Sequence, residues 1–309
     1  MNASPSKRSK ILFGILSSNI FALIIVGISS LFFNSNGPAG DILIYSNFIL
    51  VPLFMGIICA HYWRAIQLKT WGYIGWSVVN MLVAVLCSYI FLKEGIFCLI
   101  IVSPLFLVFI VTGALIGRVM FKKKNNILKS SVFGILLIAF IVDNVTEHQN
   151  VSMVSDTMIV NAPIEKVWPF VVEYEPITAK EKYWFFSIGM PSPVQSTVDG
   201  YHVGAGRKCI FSNGYIFDEK MVVYKPNEEL TFDIIGQPRD PEIMGHIDIL
   251  RGQFILKDNG NGTTTLIGNS WYRLYVFPGW YFNLWSKSIT RNVHLRVMDH
   301  IKILSEKDV

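Results

Sequence analysis

Three side chains in the second half of the chain have the chemistry for acid–base work: Glu219, His246 and Asp248. His246 and Asp248 are two residues apart, and side chains two apart on a strand share a face. An imidazole beside a carboxylate is a proton-transfer arrangement, although a polar surface strand would carry the same residues. Arg207, Arg251 and Arg273 each fall in a strand-like stretch. An inward guanidinium there grips a carboxylate or phosphate at two points, and an outward one is solvated. His202, His294 and His300 show no metal-ligand spacing, and no nucleophile-elbow, zinc-protease, P-loop or dinucleotide-binding fingerprint occurs. No metal or cofactor is implied, and no catalytic residue is assigned beyond those three candidates.

The elements that must position these residues are reached only after a long apolar stretch. The chain has 309 residues, 52% of them hydrophobic, and its mean hydropathy is +0.44. The apolar residues gather in five blocks in the first half: 11–33, 42–60, 72–92, 95–117 and 127–142. The first four reach the roughly 20 residues that a ~30 Å hydrocarbon core requires. The fifth is shorter, with Lys129 near its start placed to snorkel, and it reads as a span too. Residues 1–145 thus form a membrane domain of about five helices.

Charge supports that division. Lys and Arg outnumber Asp and Glu 11 to 4 in residues 1–150 and are outnumbered 16 to 18 in residues 151–309. The basic excess belongs to the membrane half, so nucleic-acid binding is excluded. Lys7, Arg8 and Lys10 precede the first block, Arg64 and Lys69 follow the second, and Arg118 with Lys122 to Lys124 follow the fourth. The connections between are poor in Lys and Arg, which puts the N-terminus in the cytoplasm and, after five crossings, the second half outside it. No block carries a central charge; Pro52 and Pro104 read as kinks, and the half reads as an anchor. Cys59, Cys87 and Cys98 lie in apolar runs and Cys209 is alone in the second half, so no disulfide is indicated there.

Residues 143–152 read as a polar linker. A strand over about 153–160 follows, then Asn161-Ala162-Pro163 as a helix entry with Asn161 as cap. Val167, Phe170 and Val171 give a short amphipathic helix that Pro176 stops, and a second short helix opens near Thr178. Five more strands follow: two joined at Ser212-Asn213-Gly214, where Asn-Gly signals a hairpin, one over "EELTFDIIGQP", and two joined at Asp258 to Gly262. A helix over about 278–306 carries Phe282, Trp285, Ile289, Val293, Val297, Ile301 and Leu304 in one stripe. A curved sheet wrapped on a long helix buries both apolar faces. The fold class expected is an α-helical transmembrane bundle followed by an α+β helix-grip domain over 152–309.

The stretches "IVNAPIEKVWPFVVEYEPI", "GAGRKCIFSNGYIFDEKMVVYKPNEELTFDI" and "GQFILKDNGNGTTTLIGNSWYRL", with the final helix, resemble the SRPBCC or START-like helix-grip superfamily, which includes polyketide cyclase-like proteins and lipid carriers. The resemblance spans about residues 152–306, and nothing comparable applies to the membrane half. It implies a cavity between sheet and long helix for an apolar or amphipathic molecule or lipid, lined by Trp168, Phe254, Trp271, Trp285, Ile289 and Val293. The partners expected are therefore the bilayer and that molecule. A cyclase or isomerase using the same cavity, or a partner-binding module in a membrane assembly, are the alternatives. Aromatic residues from Tyr183 to Phe186 and from Trp271 to Trp285 suit core, pocket or membrane belt alike.

Overall fold

The computed structural model describes residues 6–32, 42–66, 68–122, 150–238, 246–276 and 278–307. The chain divides into two compact units, Met1–His148 with Val276–Pro278, and Gln149–Tyr275 with Gly279–Val309.

The first unit is helical: α1 (Lys7–Phe32), α2 (Ile42–Trp63), α3 (Thr70–Cys87) and α4 (Ile96–Lys122). Four described segments are long and apolar enough to cross a membrane, Lys7–Gly27, Phe48–Ile66, Thr70–Leu92 and Ile96–Lys122. The block at 127–142 lies outside the described residues. Pro52 and Pro104 sit inside α2 and α4, Pro52 buried and Pro104 exposed. The α2–α4 crossing is close because it is built on glycine. A Cβ added at Gly56 would overlap the Ile110 carbonyl oxygen, and one at Gly113 would overlap that of Leu53. Such small-residue contacts let helix backbones approach in a bilayer. A buried polar cluster completes the bundle: Asn80 Oδ1 accepts from Ser18 Oγ at 3.1 Å and from Asn19 Nδ2 at 2.8 Å, and Asn80 Nδ2 donates to Cys59 Sγ at 3.4 Å. A search for charged residues alone misses it.

The second unit opens on β1 (Asn150–Val160), so residues 150–152 are strand rather than linker. Next come α5 (Ile164–Val172), α6 (Trp184–Ser187), β2 (Pro193–Val198), β3 (Gly206–Phe211), β4 (Ile216–Lys225), β5 (Glu229–Gly236), β6 (Ile247–Asp258), β7 (Thr264–Leu274) and α7 (Gly279–Ser305). Pro163, not Asn161, is the N-cap of α5, without a side-chain cap bond, and α5 ends at Val172, before Pro176. Its Pro169 stands past the first turn, inside the helix. One antiparallel sheet runs β1-β7-β6-β5-β4-β3-β2. The β3–β4 turn uses Gly214 at φ +85°, as the Asn-Gly signal requires. α7 lies against β1 and β7 at one edge and reaches β2 at the other. A single helix can touch both outer strands only if the sheet curls round it, so this is a helix-grip fold.

Strand alternation defines the concave face. Val154 and Val160 on β1, Leu266 and Gly268 on β7, Phe254 and Leu256 on β6, Leu230 and Phe232 on β5 and Met221 on β4 are all buried. They close on Val167, Trp168 and Val171 of α5 and on Val297, Met298 and Ile301 of α7. Gly268 faces α7 so closely that a Cβ there would stand 2.7 Å from Met298 Sδ. This core occupies the C-terminal half of α7.

Candidate functional site

The concave face holds two polar groups among its apolar residues. The first is on β3 and β4. Arg207 and Glu219 are direct cross-strand partners, and their side chains form a buried ion pair. Arg207 Nε also donates to Val172 O at 3.0 Å, and the guanidinium stands 4.6 Å from the centroid of the Phe232 ring. Tyr174 Oη and Cys209 Sγ are 4.0 Å apart beside this pair. Burial pushes the Cys209 thiol up to about 12, which makes it an inert thiol. Burial likewise pushes the Glu219 carboxyl above its ordinary value, against the pull of Arg207. Of the three arginines, Arg207 therefore points inward, contrary to the solvated reading, while Arg251 is outward and bonds Asp233 Oδ1 at 2.6 Å.

The second group joins β1, β7 and α7. Asp156 Oδ2 lies 2.7 Å from His294 Nε2, and Asp156 Oδ1 accepts from Arg291 Nε at 2.8 Å. Ser270 Oγ is 3.2 Å from His294 Nδ1. One step along β7, Tyr272 Oη donates to Asn283 Oδ1 at 2.7 Å. His294 is buried, and that burial holds its pKa below the ordinary imidazole value, against the pull of Asp156.

The acid–base candidates are not brought together. Glu219 is concave and occupied by Arg207. Asp248 pairs in register with Arg273 beside Tyr272, on the strand face opposite that tyrosine's, and is therefore convex; it accepts from Tyr275 Oη and Gln237 Nε2. His246 sits in the turn before β6, and burial pushes its imidazole down to about 4.

The six cavity residues fall into three groups. Trp168 and Phe254 are in the closed core, Trp168 edge-on to Tyr224 at 5.4 Å and Phe254 at 6.3 Å from Phe232. Trp271 is on the convex face: it pairs with the exposed Met153 and Arg251, because the two-residue strand period turns it away from Ser270 and Tyr272. Trp285, Ile289 and Val293 are half-buried on the first half of α7, with Trp285 edge-on to Phe185 at 5.7 Å.

The buried face of α7 is Phe282, Thr290, His294, Val297, Met298, His300, Ile301 and Ser305, rotated from the apolar stripe. Its polar members have partners: Asp156 and Ser270 meet His294, His300 Nε2 lies 3.0 Å from Glu175 O, and Ser305 Oγ donates to Ile301 O at 2.7 Å. The strand parity that makes Val154, Met158 and Val160 inward also makes Asp156 inward, and the parity of Leu266 makes Ser270 inward. That signal was available in the sequence and points to residues that spacing rules for motifs pass over.

No protein-family profile matches the chain, and no curated protein matches it. Solved structures resemble the second unit at low identity. Norcoclaurine synthase from Thalictrum flavum is 12% identical, with 52% of this chain and 90% of that chain covered and a TM-score of 0.36. Zhui aromatase/cyclase from Streptomyces sp. R1128 is 10% identical, covering 51% and 95%, with a TM-score of 0.36. Protein MLL2253 from Mesorhizobium loti is 13% identical, covering 51% and 99%, with a TM-score of 0.34.

Proposed function

We propose that the chain is a membrane-anchored binding protein whose helix-grip unit holds an apolar or amphipathic small molecule or lipid outside the cytoplasm. One observation carries the reading. Trp285, Ile289 and Val293 are half-buried and lie outside the cluster that Val297, Met298 and Ile301 close with α5 and the sheet, while Phe282 and Thr290 of the same helix are buried. Apolar side chains left in that state inside a curled sheet are the lining that a small apolar ligand requires. The apolar helices of the first unit would tether the chain to a bilayer, the reservoir of such molecules. An acid–base enzyme fits less well, because Glu219 is paired and Asp248 faces away from the grip.

Native mass spectrometry of the full chain, released from detergent, tests this reading. One apolar molecule should survive delipidation, be identifiable after solvent extraction, and be lost in Ile289→Trp. A chain that retains no such molecule and captures no acyl-chain probe overturns the proposal.

A further inference from the structure

The Ser270–His294–Asp156 row fixes where each proton sits, and with it the kind of group the site accepts. Asp156 receives hydrogen bonds on both oxygens, from Arg291 Nε at 2.8 Å and at the 2.7 Å contact with His294 Nε2. A carboxylate that accepts from a guanidinium is ionised and has no proton to give. His294 Nε2 must therefore carry the hydrogen. Burial keeps the imidazole uncharged, so Nδ1 is a bare acceptor. The 3.2 Å contact between Ser270 Oγ and Nδ1 is then a hydroxyl donating to a ring nitrogen.

That donation uses the only hydrogen of Ser270. What remains on Oγ is a pair of acceptor sites. Ser270 is also less enclosed than its surroundings: Val154 and Gly252, its neighbours across the two strand pairings, are buried, and Ser270 is only half-buried. Thr290 and Val293 flank His294 on α7.

We propose that Ser270 is the polar end of the ligand site and takes a head group that donates a hydrogen bond, an alcohol in preference to a carboxylate. This rests on the ligand-holding reading above and gives it a substrate class: an apolar alcohol, its hydroxyl at Ser270 and its apolar body toward Val293. A carboxylate at the same place would set its oxygens against the lone pairs of Ser270, with the charge of Asp156 behind. Mispairing of that kind discriminates strongly, because the site's own polar group loses its partner.

The experiment uses the full chain in nanodiscs with two photoreactive, clickable probes of equal length, an alkyl alcohol and the matching alkyl carboxylic acid. Peptide mapping locates the crosslinks. The alcohol should label the helix-grip unit at least about tenfold more than the acid. Ser270→Ala should bring the alcohol down to the acid's level, and Ser270→Thr, which keeps the hydroxyl, should retain the preference. Labelling by the acid equal to or above that by the alcohol in the unmodified chain overturns the alcohol preference while leaving the ligand-holding reading intact. An undiminished preference in Ser270→Ala does the same. Labelling of the unit by neither probe overturns both.

Discussion

Arg207 and Glu219 stand opposite each other on β3 and β4, with 3% and 5% of their surfaces exposed, and bond side chain to side chain. A pair so placed is costly to desolvate and more costly to split. Glu219→Gln or Arg207→Met alone should lower the unfolding free energy by about 3–5 kcal/mol, because each leaves one buried charge without its partner. The double variant Arg207→Met/Glu219→Leu should recover most of that loss. Thermal unfolding in detergent, followed by tryptophan fluorescence, checks both. A double variant as unstable as the worse single one would mean that the pair does more than neutralise itself.

Acid should destabilise the chain before its carboxylates titrate. Burial pushes His246 down to about 4 and lowers His294 from its ordinary 6.5. Both groups therefore bind a proton more readily unfolded than folded. The stability that His246 protects is complete above pH 6.5 and falls as pH drops toward 4, by up to about 1.4 kcal/mol per pH unit, and His294 adds to the loss below pH 6.5. Melting temperatures measured from pH 7 to 5 should decline, and His246→Gln should remove at least half of the slope. A flat profile over that window would show that neither imidazole is sequestered.

How much of this was legible depends on which force fixes each feature. The Asn213-Gly214 turn, the strand runs and the long last helix could be read from the sequence because local conformation and apolar alternation determine them. β2 could not, since Pro193, Gln195, Ser196 and Thr197 carry no apolar period, and they pair with β3 and, at Ser196, with Tyr174. The stripe on α7 was misread by a rotation, because hydrophobicity alone cannot show that Asp156, 138 residues away, waits for His294. The family resemblance implies Trp271 in the grip, and strand parity puts it on the convex face. The inward direction of Arg207 was not legible, because its partner Glu219 lies on the neighbouring strand.

The α2–α4 crossing should tolerate no added carbon at its centre. The atoms that a Cβ at Gly56 or Gly113 would strike are backbone, Ile110 O and Leu53 O, and backbone inside a helix cannot swing aside as a side chain does. Gly113→Ala should cost about 1–3 kcal/mol or more in detergent-titrated unfolding. Gly268→Ala should cost less, since its obstacle is the flexible end of Met298. Equal losses at the two sites would contradict the backbone account of the crossing.

The two halves of α7 should respond oppositely to added bulk. Ile301 is fully enclosed by the core shared with α5 and the sheet. A tryptophan there must displace packed neighbours, so Ile301→Trp should lower the unfolding free energy by about 1–3 kcal/mol or more. Ile289, three turns earlier on the same helix, is half-buried and outside that core. Ile289→Trp should leave the melting temperature nearly unchanged while abolishing capture of an acyl-chain probe, because the ring occupies the space the ligand would take. The pair of variants separates a hollow half from a packed one with the same chemical change. If Ile289→Trp destabilises as much as Ile301→Trp, the first half of α7 is closed as tightly as the second, and the grip has no room for a ligand.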